Sequence, residues 1–102
     1  MLISKGVSLE GLGIREVGLT RGDALKAIDL LEKDSIPILG GDVYLRRGSK
    51  IEPAYANWYS DPVPGEEHTE FFGRSWKRAR EYIRDFPEQR SADPLFVLVV
   101  TR

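Results

Sequence analysis

The sequence predicts an α+β fold, with two helices packed on a three- or four-stranded, largely antiparallel sheet. Three observations predict it. Apolar residues recur at helical spacing over residues 20–34 and again over 69–86. Between those segments, two strand-like runs flank a Gly48-Ser49 turn, a pairing that forces antiparallel strands. A last run, Leu95 to Thr101, is apolar without alternation. Helices and hairpin strands that do not alternate as β-α-β units give the α+β class.

Taken in order, residues 1–19 are punctuated by Gly6, Gly11, Gly13 and Gly18. They read as loops, a short helical turn and an extended piece near Ile14 to Leu19. Thr20 opens the first helix, with Asp23 in the place of the usual Glu or Gln of a capping box. Ala24, Ala27, Ile28 and Leu31 then fall on one face, and Lys26, Asp29 and Lys33 lie opposite. The helix should end near Asp34, because Pro37 disfavours helix just before it.

Ile36 to Arg47 reads as a strand interrupted at Gly40-Gly41, with Val43 and Leu45 alternating against Asp42, Tyr44 and Arg46. Ile51 to Tyr59 is the return strand. Pro53 has no N–H to donate, so this strand should lie at an edge or carry a bulge there. Asp61 to Glu67 is a loop by composition. Thr69 to Phe86 is the second helix, with an apolar stripe of Phe72, Trp76, Ala79, Ile83 and Phe86, and Pro87 ends it. The run from Leu95 should be a strand buried on both faces and central in the sheet.

The length of 102 residues suits one domain over residues 1–102. With 41% hydrophobic and 30% charged residues, the chain is too apolar for disorder. It has no cysteine, which excludes a disulfide framework, a thiolate metal site and a cysteine nucleophile. Met1 to Glu10 does not read as a signal peptide, and Leu95 to Val100 is far shorter than the ~20 residues that span a bilayer. These features point to a cytoplasmic-type protein away from the membrane. Fifteen Lys and Arg against sixteen Asp and Glu give a net charge of −1, which argues against a dedicated nucleic-acid binder.

Catalytic groups are scarce. His68 is the chain's one histidine and sits in a polar loop beside Glu66 and Glu67, where a solvated role is the commoner one. One histidine and no cysteine leave no zinc site. No residue pattern calls for a cofactor. A carboxylate pair such as Asp42 with Glu52 could serve a small hydrolase, but strand-borne acids are usually solvated. Residues 74–85 carry a net +3 through Arg74, Lys77, Arg78, Arg80 and Arg84 against Glu81 and Asp85, a surface for nucleic acid or an acidic partner, or else a solvated face supported by Glu70–Arg74 and Lys77–Glu81 at i,i+4.

Two features point to partner binding. Gly40-Gly41-Asp42 inside a strand suggests a bulge, a bend or close approach of another backbone. Residues 52–70 hold Glu52, Asp61, Glu66, Glu67 and Glu70 with no Lys or Arg, interleaved with Tyr55, Trp58, Tyr59 and, at the end, Phe71 and Phe72. Aromatic anchors ringed by carboxylates suit docking to a basic protein surface, and they equally suit a core. Strand alternation puts Trp58 opposite Tyr55 or Tyr59, so one of these should point inward.

The strings Ala24 to Leu31, Ile36-Pro37-Ile38-Leu39-Gly40-Gly41-Asp42-Val43-Tyr44, Asn57-Trp58-Tyr59, and Arg74-Ser75 with Ala79 and Tyr82-Ile83 resemble the immunity protein 40 family of bacterial polymorphic toxin systems. The resemblance covers Val17 to Phe86. It implies an α+β immunity-type domain that binds a cognate toxin protein and occludes its site without performing chemistry. It also implies that Gly40, Gly41, Asp42, Tyr44, Trp58 and Ser75 form a shared structural or binding centre, with Gly40, Gly41 and Ser75 the structural part. Such toxins often attack nucleic acid through basic sites, which the acidic stretch would complement. The residues expected at the toxin are thus Asp42, Tyr44, Tyr55, Trp58, Tyr59, Asp61, Glu66, Glu67 and Glu70.

Overall fold

The computed structural model describes residues 7–8 and 17–100. Its elements are β1 (Val7–Ser8), β2 (Val17–Gly18), α1 (Arg21–Lys33), β3 (Ile38–Arg47), β4 (Lys50–Tyr59), α2 (His68–Asp85) and β5 (Asp93–Val100). The expected helical turn and most of the expected loop before Val17 lie outside the described residues.

Thr20 caps α1: its hydroxyl accepts the Asp23 N–H at 3.3 Å. Ala24, Ala27, Ile28 and Leu31 are buried, the face that the spacing predicted. In α2 the buried seam is Phe71, Ser75, Ala79 and Ile83, at i,i+4 spacing, while Phe72, Trp76 and Phe86 are only half-buried at its flank. Ala79 and Ile83 of the predicted stripe are buried as expected, while in its first two turns Phe71 and Ser75 take the buried places expected for Phe72 and Trp76. A polar serine at the centre of the seam hides its register. Ser75 is fully buried, donates to the Phe72 carbonyl at 2.8 Å and accepts the Ile38 N–H at 3.1 Å. Next to it, Trp76 Nε1 donates to the Ile36 carbonyl at 2.8 Å. The helix is thus pinned to the entry of β3.

The main sheet is antiparallel in the order β4-β3-β5. β3 is central. The prediction that put the strand beginning at Leu95 in the centre is corrected: among the described residues β5 pairs with β3 on one side, and on the other bonds only Leu19, whose N–H and carbonyl bond the Phe96 carbonyl and N–H at 2.8 and 2.7 Å. Leu95, Phe96 and Val97 are buried in succession, but Val99 is 39% exposed. β1 and β2 form a separate two-stranded antiparallel pair. Gly48, at φ +60, completes the two-residue turn that joins β3 to β4.

β3 continues as one strand through Gly40-Gly41, but against β5 its register shifts between Ile38 and Gly40, an irregularity beside the glycines where a bulge was expected. A Cβ on Gly40 would collide with the Trp58 carbonyl, and one on Gly41 with the Trp58 ring and the Val97 carbonyl. The two glycines let three strands and an indole share one point in the core.

Both helices pack on one face of the sheet. They run antiparallel, since Arg21 donates to the Ile83 and Arg84 carbonyls at 2.6 and 3.1 Å, and Arg80 reaches Asp29 and Glu32 at 2.8 and 2.5 Å. The Arg21 contact places a cation on the last carbonyls of α2, where the helix dipole favours it.

Candidate functional site

The outer strand β4 pairs only with β3 among the described residues. Its register breaks between Val43 and Tyr44: Val43 faces Ala56, but Tyr44 faces Pro53, so Ala54 and Tyr55 bulge out. Edge position and bulge both coincide with Pro53. Tyr55 takes φ +56, a region that bulky side chains rarely enter, and is 92% exposed. Beyond it, Asn57 is exposed and Tyr59 is 72% exposed, while Trp58 turns into the core at 3%. Trp58 thus belongs to the core in this arrangement, stacked on Tyr82 of α2 with ring centroids 4.6 Å apart. Its Nε1 and the Ser60 Oγ are buried without a hydrogen-bond partner among the described residues.

Asp42 and Tyr44 alternate with buried Val43 and are half-buried. The register sets Asp42 between Asn57 and Val97, on the face away from the helices. Glu52 pairs with Leu45, which shares the helix-facing side with Val43, so Asp42 and Glu52 lie on opposite faces. Glu52 also meets Arg47 at 2.9 Å. The register does not bring these two acids together as a hydrolase pair.

The acidic loop after β4 is largely engaged within the chain. Arg74 holds Glu66 through two bonds of 2.9 Å and also donates to the Asp61 carbonyl at 2.5 Å. Arg74 thereby turns to Glu66 and not to Glu70. Glu66 also accepts the Val63 N–H at 3.1 Å. Glu67 is the N-cap of α2, and Glu70 reaches back to its N–H at 3.2 Å in a capping-box arrangement. Asp61 is exposed, and among the described residues its carboxylate makes no ion pair.

The Arg74 guanidinium, with help from the Val63 N–H, lowers the Glu66 carboxyl from an ordinary 4.5 to about 2. A carboxyl depressed in the folded state stabilises the fold fully above its unfolded value and loses that contribution as pH falls through the folded one. Glu66→Gln should therefore melt below wild type at neutral pH, and the gap should close between pH 4.5 and about 2. Calorimetric melts across that range test this; a gap that stays constant would show that the charge is not what matters.

Two shallow grooves flank the outward face of α2. One, about 330 Å³, lies between the end of β4 and the helix, against Tyr59, Ser60, Arg74 and Lys77. The other, about 460 Å³, runs toward Tyr82, Phe86 and Pro87. Arg78 and Glu81 line both. The Arg78 guanidinium lies 5.8 Å from the centroid of the Tyr82 ring. Burial raises the Tyr82 hydroxyl above its ordinary value, against the opposing effect of Arg78. Lys77 makes no ion pair with Glu81, although the spacing allows one.

Of the five basic residues that gave this helix its net charge, Arg74, Arg80 and Arg84 are paired with carboxylates of the chain. That leaves little of a continuous basic track. His68 is exposed at the start of α2, its ring stacked 6.3 Å from that of Phe72. Among the described residues no group of three or more His, Asp or Glu could hold a metal ion, and no helix is long and apolar enough to cross a membrane.

The structure therefore brings Tyr59, the loop at Asp61 and the α2 grooves to one end of the sheet, with Tyr55 further along the same strand and Asp42 and Tyr44 on the sheet face away from the helices, which Asn57 and Tyr59 share by alternation. Sequence reasoning counted Arg78 among the five basic residues of this helix without singling it out. Its signal was the four-residue spacing from Arg78 to Tyr82, which stacks a cation on a ring.

No curated protein and no solved structure matches this chain. The family model described as immunity protein 40 does match, over residues 8–100, beyond both ends of the motif strings. That span contains every described element from Ser8 on, including the glycine pair, the bulged edge strand and the seam through Ser75. The chain belongs to the immunity protein 40 family.

Proposed function

We propose that this chain is the antidote to a cognate toxin, binding it through the outward side of β4 and the adjoining loop and α2 grooves, and inhibiting it by covering its active site. The chain acts by binding and performs no chemistry, and it meets the toxin in the cytoplasm. Family membership supports the partner class. The observation that carries the surface is Tyr55, held at φ +56 on a bulge and 92% exposed. Holding a bulky residue there costs about 1–3 kcal/mol, and it buries nothing within the chain. Such strain fits a side chain displayed for a partner, and an exposed tyrosine supplies large contact area at low rotamer cost.

A tagged pull-down from the native cells should bring down a toxin that kills when expressed without this chain. Against that toxin, the Tyr55→Ala/Tyr59→Ala double variant should lose ~100-fold in affinity. Tyr55→Gly should raise the melting temperature, because glycine takes φ +56 without strain, yet weaken protection. Unchanged affinity in both variants would move the binding surface elsewhere.

A further inference from the structure

We propose that Arg78 takes a carboxylate of the bound toxin, with an acidic segment of the toxin lying in the groove between Arg78 and Tyr59, where Lys77 adds a second cation. The inference rests on the immunity reading and names the chemistry that this surface recognises.

Three facts about Arg78 support it. The other arginines of α2 are committed: Arg74 to Glu66, Arg80 to Asp29 and Glu32, Arg84 to Asp85. Arg78 is exposed and makes no ion pair among the described residues, although Glu81 lines both grooves and Asp85 one of them. Its guanidinium is nevertheless not loose. It lies over Tyr82, and Tyr82 stacks at 4.6 Å on Trp58, which is 3% exposed and fixed in the core. A planar fork held on an aromatic floor has already given up much of its rotamer freedom, so a partner that binds it loses less entropy. Arginines placed in this way are frequent hot spots.

Charge complementarity selects the occupant. Lys77 adds to the groove at Tyr59 a second cation that has no ion pair among the described residues. An anionic group therefore fits. A carboxylate fits better than a nucleic-acid backbone, which needs a row of cations, whereas here three of the helix's five are already neutralised.

The test uses the toxin that co-purifies with the tagged full chain. Its affinity is measured for wild type, Arg78→Lys, Arg78→Glu and Lys26→Glu, the last being the same type of charge reversal on the exposed side of α1. Arg78→Glu should weaken binding at least ~30-fold and Arg78→Lys by ~10-fold, because an ammonium cannot make the forked contact. Lys26→Glu should stay near wild type. Reversing the matching acid on the toxin to Arg should restore binding to Arg78→Glu. If Arg78→Glu binds as tightly as wild type, or if Lys26→Glu weakens binding as much, the assignment of Arg78 is overturned while the immunity reading stands. Arg78-dependent retention of duplex DNA in a low-salt gel shift would overturn the carboxylate in favour of phosphate. If wild type binds no toxin at all, both readings fall. Should Arg78→Glu fail to fold, Arg78→Lys alone decides, since it keeps the charge and most of the stem.

Discussion

Gly41→Ala should destroy most of the stability of this fold. A single methyl at that position would sit against the Trp58 ring and the Val97 carbonyl oxygen, closer than real side chains approach. Neither neighbour has room to retreat. Trp58 is clamped between the sheet and Tyr82, and the Val97 carbonyl belongs to a strand that β3 and Leu19 hold from both sides. Overpacking where the backbone must shift costs ~3 kcal/mol or more, a large share of the ~5–15 kcal/mol that holds a domain of this size. Urea unfolding should show a midpoint collapsed toward zero or no folded baseline. Gly73→Ala is the natural control: it lies on the exposed side of α2 with nothing within 4 Å of the added atom. That substitution should be neutral or stabilise by up to ~1 kcal/mol. If the two variants behave alike, the close approach at Gly41 has been misjudged.

Phe96→Ala should be nearly as severe, by the opposite route of a cavity. Phe96 is fully buried. Its ring meets Phe86 edge-on at 5.7 Å, and the Arg21 guanidinium lies 5.9 Å from its centroid. Arg21 in turn caps the end of α2. One ring therefore joins β5, the start of α1 and the end of α2. Truncating a buried phenylalanine costs ~3–5 kcal/mol. In a domain of this size that lowers the melting temperature by at least ~12 °C. A drop of only a few degrees would mean that the helices close over the space, and that this junction is softer than its contacts suggest.

What could be read in the sequence followed local physics. The Thr20 cap, Pro37, the Gly48-Ser49 turn and Pro53 each act within a few residues of themselves, and each element they predicted is present. What could not be read depended on distant partners. The apolar run at Leu95 looked central because its side chains announce burial. The strand that is central, β3, hides the fact by using glycine where neighbours crowd it most. Ser75 looked polar in sequence, and it is buried because an N–H of Ile38, 37 positions away, needs an acceptor. The site was legible in the same uneven way. Alternation put Trp58 and Tyr59 on opposite sides, and they are. The acidic stretch read as a free surface, whereas Glu66 is spent on Arg74. Arg78 became conspicuous only after the structure showed its sister arginines paired, Arg80 with an acid 48 residues away.

The break in β4 has a consequence for how this protein behaves among copies of itself. An unbroken ten-residue outer strand would offer a ladder of unpaired amides on which a second copy could add, the first step of edge-to-edge aggregation. Pro53 removes one donor, and the bulge at Ala54 and Tyr55 throws the next two residues out of line, so only short stretches of ladder remain. The break in β4 therefore disfavours growth of one copy on another along this edge. A partner that docks here must recognise rings and charges, since the backbone offers too little continuous hydrogen bonding to capture any passing strand.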